Sequence, residues 1–192
     1  MTAQVQYYLA KCDECLHKKR GVSDKRYKFA STERGYLNQF CQIEIFCPTQ
    51  PDSSGYRYVL AMEEVYTRYC IFVPLKRITA DIVVKAILKR CVAFLGISNE
   101  IRTDLGNQFT SALFRELTQQ LQIKHDFPTK DYHSGNHAEG AFKIFGELLR
   151  TLSAKEKRHW SNFLPILQLA YNVRFHKTLG LSPFCLSHWQ EA

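Results

Sequence analysis

The chain has 192 residues, 45% apolar and 23% charged, which allows one domain with a substantial core plus a small appendage. No run of about eighteen apolar residues occurs, and the start Met1-Thr2-Ala3-Gln4-Val5-Gln6 lacks the basic-then-apolar order of a signal peptide, so neither a membrane span nor secretion is expected. Seven cysteines, several inside apolar runs, read as small buried hydrophobes in a reducing compartment, cytosol or nucleus, and a net charge of +8 favours a polyanionic partner.

Residues 1–35 read as an appendage, with eight Lys/Arg against four acids, little periodicity, and the pair Cys12 and Cys15. A compact domain is expected over 36–192. Residues 40–47 form a β-prone run ended by Pro48, with a turn over 48–55. Residues 57–62 and 68–73 are two further strand-like runs joined as a hairpin by 63–67, and Pro74 is expected to end the second. Thr79 suits the N-cap of a helix over 80–95 that Gly96 closes. A short strand at 101–103 delivers Asp104. Thr110 is expected to cap a helix over 111–121 whose apolar face is Leu113, Phe114, Leu117 and Leu121. A fifth strand covers 123–127.

After the polar stretch 128–135, Asn136 is expected to cap a helix running to about 153, with the stripe Ala138, Ala141, Phe142, Phe145, Leu148, Leu149 and Leu152. A last amphipathic helix covers 159–173. The order β-β-β-α-β-α-β-α-α predicts an α/β protein whose mixed sheet carries helices on its faces.

Three acids stand where this order would bring them together. Glu44 lies between Ile43 and Ile45, so strand alternation puts it on the opposite face from both. Asp104 ends a strand just before Gly106, and Glu139 opens a helix after thirty-four intervening residues. Carboxylates from a central strand, a neighbouring strand end and a first helical turn can converge on two Mg²⁺ ions. Such a pair activates an attacking oxygen and stabilises a leaving one in phosphoryl displacement. Taken singly, each acid has a plainer role: a turn former, a helix-terminus charge, an outward-facing strand residue. Lys143 and Arg150 share the Glu139 helix face and suit a phosphate backbone running past it, and Tyr132 and His133 stand in the preceding loop within reach of substrate.

These residues resemble the integrase of Ty3/gypsy-type retrotransposons and, more distantly, retroviral integrases. The resemblance runs over nearly the whole chain. It rests on Gln42-Ile43-Glu44-Ile45-Phe46-Cys47-Pro48, on Glu64-Val65-Tyr66-Thr67-Arg68 with Phe72-Val73-Pro74-Leu75, and on Asp104-Leu105-Gly106-Asn107-Gln108-Phe109. It continues in Tyr132-His133-Ser134-Gly135-Asn136-His137-Ala138-Glu139, and in Trp160 with Leu164-Pro165, Ala170-Tyr171-Asn172, His176 and Thr178-Leu179-Gly180-Leu181-Ser182-Pro183-Phe184.

The resemblance implies an RNase H-like fold, a five-stranded mixed sheet flanked by helices with a short N-terminal appendage. It also implies Glu44, Asp104 and Glu139 as a catalytic triad binding Mg²⁺ (or Mn²⁺), DNA strand transfer, a nuclear location and a homo-oligomer. Cys12 and Cys15 resemble the last two ligands of the family's zinc finger and could hold Zn²⁺ only with ligands missing from this chain. Glu44 stands where the family has Asp, the loop before Glu139 is one residue shorter than usual, and Gly140 occupies a position often held by Arg. Because Glu44 changes the acid that would bridge both metals, a second reading stands beside the enzyme. It is an integrase-derived host protein, a domesticated transposon product, that binds DNA or protein partners without catalysis.

Overall fold

The computed structural model describes residues 36–48, 50–127, 137–152 and 154–188, with only the backbone of 137–142 and 154. The appendage 1–35, and with it Cys12 and Cys15, lies outside the described residues, as do Tyr132 and His133.

Three strands come first: β1 (Phe40–Phe46), β2 (Tyr58–Glu64) and β3 (Tyr69–Leu75). Both hairpin pairings are antiparallel. β4 (Glu100–Thr103) then pairs parallel with β1, and β5 (Lys124–Asp126) pairs parallel with β4. The sheet order is β3-β2-β1-β4-β5, so β1 is central and β3 is an edge. Pro74 does not end β3 but sits inside it, opposite Val59. An edge strand tolerates a residue without an N–H, provided that face of the ladder needs no donor there.

The helix after β3 begins as α1 (Ala80–Ala86) and continues through a π-helical stretch, Ile87–Val92, to Ala93–Leu95. Thr79 occupies its N-cap position, but its hydroxyl donates to Asp81 Oδ1 at 2.6 Å instead of bonding a backbone N–H. Gly96 closes it at φ +89°, a left-handed geometry that favours glycine. A short helix α2 (Asn107–Thr110) precedes α3 (Ala112–Gln120). The cap of α3 is Ser111, whose Oγ accepts from the Phe114 N–H at 3.2 Å, so Thr110 belongs to α2 and does not cap the longer helix. The chain ends with α4 (His137–Thr151), α5 (Ala154–Lys157), α6 (Trp160–Asn172) and α7 (Pro183–His188).

Strand alternation divides the sheet into two unlike faces. One carries Cys41, Ile43, Leu60, Met62, Ile71 and Val73 against Val83 and Ile87 of the first helix and Phe114 of α3. The other carries Val59, Ala61 and Phe72 against Phe145 of α4 and Trp160, Leu164, Leu167 and Tyr171 of α6. Of the expected α4 stripe, Phe145, Leu148, Leu149 and Leu152 pack into this core, joined by Ile144; Ala138, Ala141 and Phe142 have no described side chains. The exposed edge of β3 is closed by side chains. Asn172 Oδ1 accepts from the Cys70 N–H at 2.9 Å, its Nδ2 donates to the Cys70 carbonyl at 2.8 Å, and Gln168 Oε1 accepts from the Phe72 N–H at 2.9 Å. These bonds occupy positions where a sixth strand would pair.

Candidate metal and nucleic-acid site

Glu44 is half-buried on central β1, paired with Ala61 of β2. The parallel ladder with β4 ends at Ile43 and Thr103, so the next positions in register are Glu44 and Asp104. Residues in register on parallel neighbours share a face, with strands about 4.8 Å apart. Both acids therefore stand one residue past the end of the β1–β4 ladder, with Glu44 still paired with Ala61 of β2.

The backbone around Asp104 is pinned from below. Thr103 is buried, and its hydroxyl donates to the Asp104 carbonyl at 2.9 Å. The same oxygen lies 2.8 Å from His125 Nε2. With its one proton given to the Asp104 carbonyl, the Thr103 hydroxyl can accept from His125 in the tautomer protonated on Nε2. Burial holds the His125 pKa below its usual value, partly offset by the neighbouring Asp126 carboxylate. Asp126 is itself paired with Arg102 at 2.7 Å. Burial pushes the Asp126 pKa up, but the Arg102 hydrogen bonds and charge, with the Phe127 N–H, outweigh it and hold the carboxyl below the usual carboxylate value.

The Asp104 carboxylate accepts from the Gly106 N–H at 2.9 Å through Oδ1. Gly106 has φ −58°, a conformation open to any residue, so its glycine serves space and not backbone geometry. A Cβ there would lie 2.9 Å from Asp104 Oδ1 and would also strike the Gln108 side chain. Asp104 is exposed, and a side chain at 106 would crowd the one carboxylate the strand presents to solvent.

Glu139 lies in the first turn of α4, and its side chain falls outside the described residues. The helix that carries it is anchored over the Glu44 face. Phe145 is fully buried, stacks on Phe72 at 4.3 Å and meets Phe46 edge-on at 6.1 Å. Phe46 is two residues beyond Glu44, and Phe145 is about 9 Å along the helix from position 139. Lys143 and Arg150 are both exposed. Among the described residues no group of three His, Cys, Asp or Glu is placed to hold a metal ion.

Glu63 is a fourth acid that sequence reasoning missed. It sits on the Glu44 face, paired with Gln42 of β1 and fully enclosed, with Arg68 Nη1 at 3.2 Å from its Oε1. Burial pushes its pKa up to about 7 against the pull of Arg68, and the Glu44 and Glu64 carboxylates add to the rise. Its sequence signal was weak, since an acid beside a second acid near a hairpin reads as turn. Glu64 does fill that turn role: its Oε2 accepts from the Thr67 N–H at 2.8 Å and from the Thr67 hydroxyl at 2.6 Å. The two neighbours part because alternation sends one side chain to each face.

Five cysteines fall among the described residues, all of them free thiols, with Cys41, Cys70 and Cys91 buried as their apolar surroundings suggested. Among the described residues no helix is long and apolar enough to cross a membrane.

The chain has relatives in both sequence and structure. It is 26% identical over 185 residues to human KRAB-A domain-containing protein 2, covering 92% of this chain and 36% of that protein. It is 25% identical over 193 residues to the Transposon Tf2-3 polyprotein of Schizosaccharomyces pombe, covering 96% of this chain and 14% of that protein. The chain thus spans well under half the length of either. Among solved structures, the simian T-cell lymphotropic virus intasome in complex with the PP2A regulatory subunit B56 gamma aligns with a TM-score of 0.67 at 19% identity, over 83% of this chain and 59% of that one. The HTLV-2 integrase catalytic core domain in complex with magnesium aligns with a TM-score of 0.63 at 18% identity, over 79% of this chain and 97% of that one. These likenesses carry the RNase H-like fold that the β3-β2-β1-β4-β5 sheet already displays. The profile of the integrase core domain matches residues 37–132, which is 96 of 192 positions, and this chain belongs to the integrase core domain family.

Proposed function

We propose that this chain is an integrase-like DNA-binding core that retains a divalent-metal site at Glu44, Asp104 and Glu139, and that Glu44 in place of the family's Asp holds back strand transfer. The observation that supports the reading is that the parallel ladder ends at Ile43 and Thr103, one residue before Glu44 and Asp104, while the helix that bears Glu139 packs on the Phe46 side of β1. The donor set fits the metal, since carboxylate oxygens at adjacent strand ends are the hard ligands Mg²⁺ prefers, and the Gly106 N–H leaves Asp104 Oδ2 available. When bound, Mg²⁺ or Mn²⁺ would supply charge stabilisation for phosphoryl displacement.

The protein's own contribution is positional. Thr103 and His125 fix the backbone that presents Asp104, and Phe145 fixes the helix that presents Glu139. Lys143 and Arg150, with Tyr132 and His133 from the loop before the helix, contact the DNA. The unit spans residues 36–192, acts as a homo-oligomer and works in the nucleus. Cys12 and Cys15 belong to the segment before it and would supply two of the four ligands of a tetrahedral Zn²⁺ site.

Glu is one methylene longer than Asp, and a displacement of about 1 Å at a reacting centre costs roughly a hundredfold in rate. Strand-transfer and nicking assays with Mn²⁺ on the wild type and on Glu44→Asp test this. A roughly hundredfold gain in Glu44→Asp supports the proposal, while equal activity in both forms removes the special role of Glu44. Calorimetric titration with Mn²⁺ on the wild type and Asp104→Asn tests the site itself, with binding expected only in the wild type. A second reading, a host-derived protein that binds DNA or protein partners without catalysis, is favoured by the similarity to a human KRAB-A domain protein. No metal binding and no activity in any of the three forms would select it.

A further inference from the structure

Glu44 and Asp104 mark one end of the sheet, and the topology brings a set of cations to that same end. β1 and β4 finish there, β2 begins there, and β3 finishes there with Leu75 opposite Tyr58. Arg57 precedes β2, and Lys76 and Arg77 follow β3. α5 adds Lys155 and Lys157, with Arg158 just after it.

Contacts between the segments hold these six residues into one corner. The Arg57 N–H donates to the Leu75 carbonyl at 3.0 Å, and the Ser53 N–H donates to the Arg158 carbonyl at 2.8 Å. Ser53 Oγ lies 2.6 Å from His159 Nδ1. Lys76 Nζ rests 5.2 Å from the centre of the Tyr56 ring, and Tyr56 meets Trp160 at 6.5 Å. Arg57, Lys76, Arg77, Lys155 and Arg158 are exposed and Lys157 is half-buried. Among the described residues none of the six is ion-paired. Of the acids in this corner, Asp52 is buried and accepts from the Ser54 and Ser161 N–H groups at 2.7 and 3.0 Å, and Glu156 lies on α5 between Lys155 and Lys157.

We infer that this corner, built from the β1–β2 loop, the end of β3 and α5, is a second contact surface for the backbone of duplex DNA, engaged by the same duplex that lies over the carboxylates. Three strand spacings separate β4 from β3, about 14 Å. Each step along one DNA strand advances about 3.4 Å. One duplex crossing the sheet end therefore meets Asp104 and Lys76 about four base pairs apart. Cations drawn from three separate segments, with no ion pair among the described residues, fit the regular charge of a phosphate backbone better than a single acidic side chain. The choice of DNA as the polyanion rests on the function proposed above, while the surface itself rests on the contacts that assemble it.

The test is duplex binding by fluorescence anisotropy over a salt series. It uses the wild type, the triple variants Arg57→Gln/Lys76→Gln/Arg77→Gln and Lys155→Gln/Lys157→Gln/Arg158→Gln, and Lys85→Gln/Lys89→Gln/Arg90→Gln on the opposite side of the sheet as control. Every exchanged residue except the half-buried Lys157 is exposed, and thermal melts check that folding is kept. Each corner variant is expected to bind roughly tenfold or more weakly at 0.15 M salt, with the slope of log K against log salt reduced by about 2 to 3. The control is expected to match the wild type. If the control variant weakens as much as the corner variants, or the corner variants keep the wild-type slope while Lys143→Gln/Arg150→Gln loses binding, the corner is overturned and the DNA-binding reading stands. If the wild type shows no salt-dependent binding to duplex DNA, both fall. Equal affinity for a single-stranded RNA of the same length, competing at the same residues, overturns the duplex assignment.

Discussion

The two faces of the sheet are made by the same five strands and are chemically opposite. Cys41, Ile43, Leu60, Met62, Ile71 and Val73 form one face, and the helices above it meet it with apolar side chains. The other face mixes Val59, Ala61 and Phe72 with Gln42, Glu44 and Glu63, and its helices, α4 and α6, pack Phe145, Trp160, Leu164, Leu167 and Tyr171 against it. Alternation makes the contrast possible, since neighbouring residues on β1 and β2 answer to different surroundings. The closed face supplies stability, and the open face spends some of it on buried charge.

Three substitutions sharpen the contrast. The largest effect is expected on the closed face. Ile43→Ala removes a fully buried side chain from the centre of the sheet, and unfolding by denaturant should show a loss of about 2 to 5 kcal/mol. Metal binding by the protein that remains folded should match the wild type, and a large loss of affinity would show that the faces are not separable.

A smaller cost is expected where α6 closes the edge. Asn172 is buried and holds both polar groups of Cys70, so Asn172→Ala leaves an N–H and a carbonyl without partners, for about 1 to 3 kcal/mol. The same variant should gain hydrogen exchange at the Cys70 amide. Protection equal to the wild type would mean that water or a neighbour replaces the side chain.

The smallest effect is a pH dependence on the open face. The Glu63 pKa rises from 4.5 to about 7 on folding, so the folded chain holds a proton that the unfolded chain has released between those values. Stability from this group is therefore greatest below pH 4.5, declines as pH rises towards 7, and is level above it. Glu63→Gln keeps the shape and removes the titration, so melting temperatures between pH 5 and 7 should lose that downward component. An unchanged profile would mean that Arg68 holds Glu63 ionised throughout.

Much of the open face could be read before the fold was seen. Glu44 between two isoleucines declared its face because strand period is local. Asp104 before Gly106 was legible as a turn former, and its Oδ1 accepts from the Gly106 N–H. What was not legible involved partners distant in sequence. Glu63 and Glu64 look alike on paper, yet one is enclosed beside Arg68 and the other caps the turn at Thr67. Asn172 looked like the end of an amphipathic helix, and its bond to Cys70 crosses 102 residues. Pro74 looked like a strand terminator because nothing local says that β3 is an edge. The helix Pro183–His188 went unread because six residues hold too short a pattern to show a period.

Sequence alone determined the element order and the alternation that isolates Glu44, because each depends on residues a few positions apart. Only the tertiary structure decided that β1 and β4 pair in parallel up to Ile43 and Thr103, that Glu63 is enclosed, and that Arg57, Lys76 and Arg158 meet at one corner. Strand pairing and helix docking join segments tens of residues apart, and burial is a property of those junctions, not of the residues that enter them.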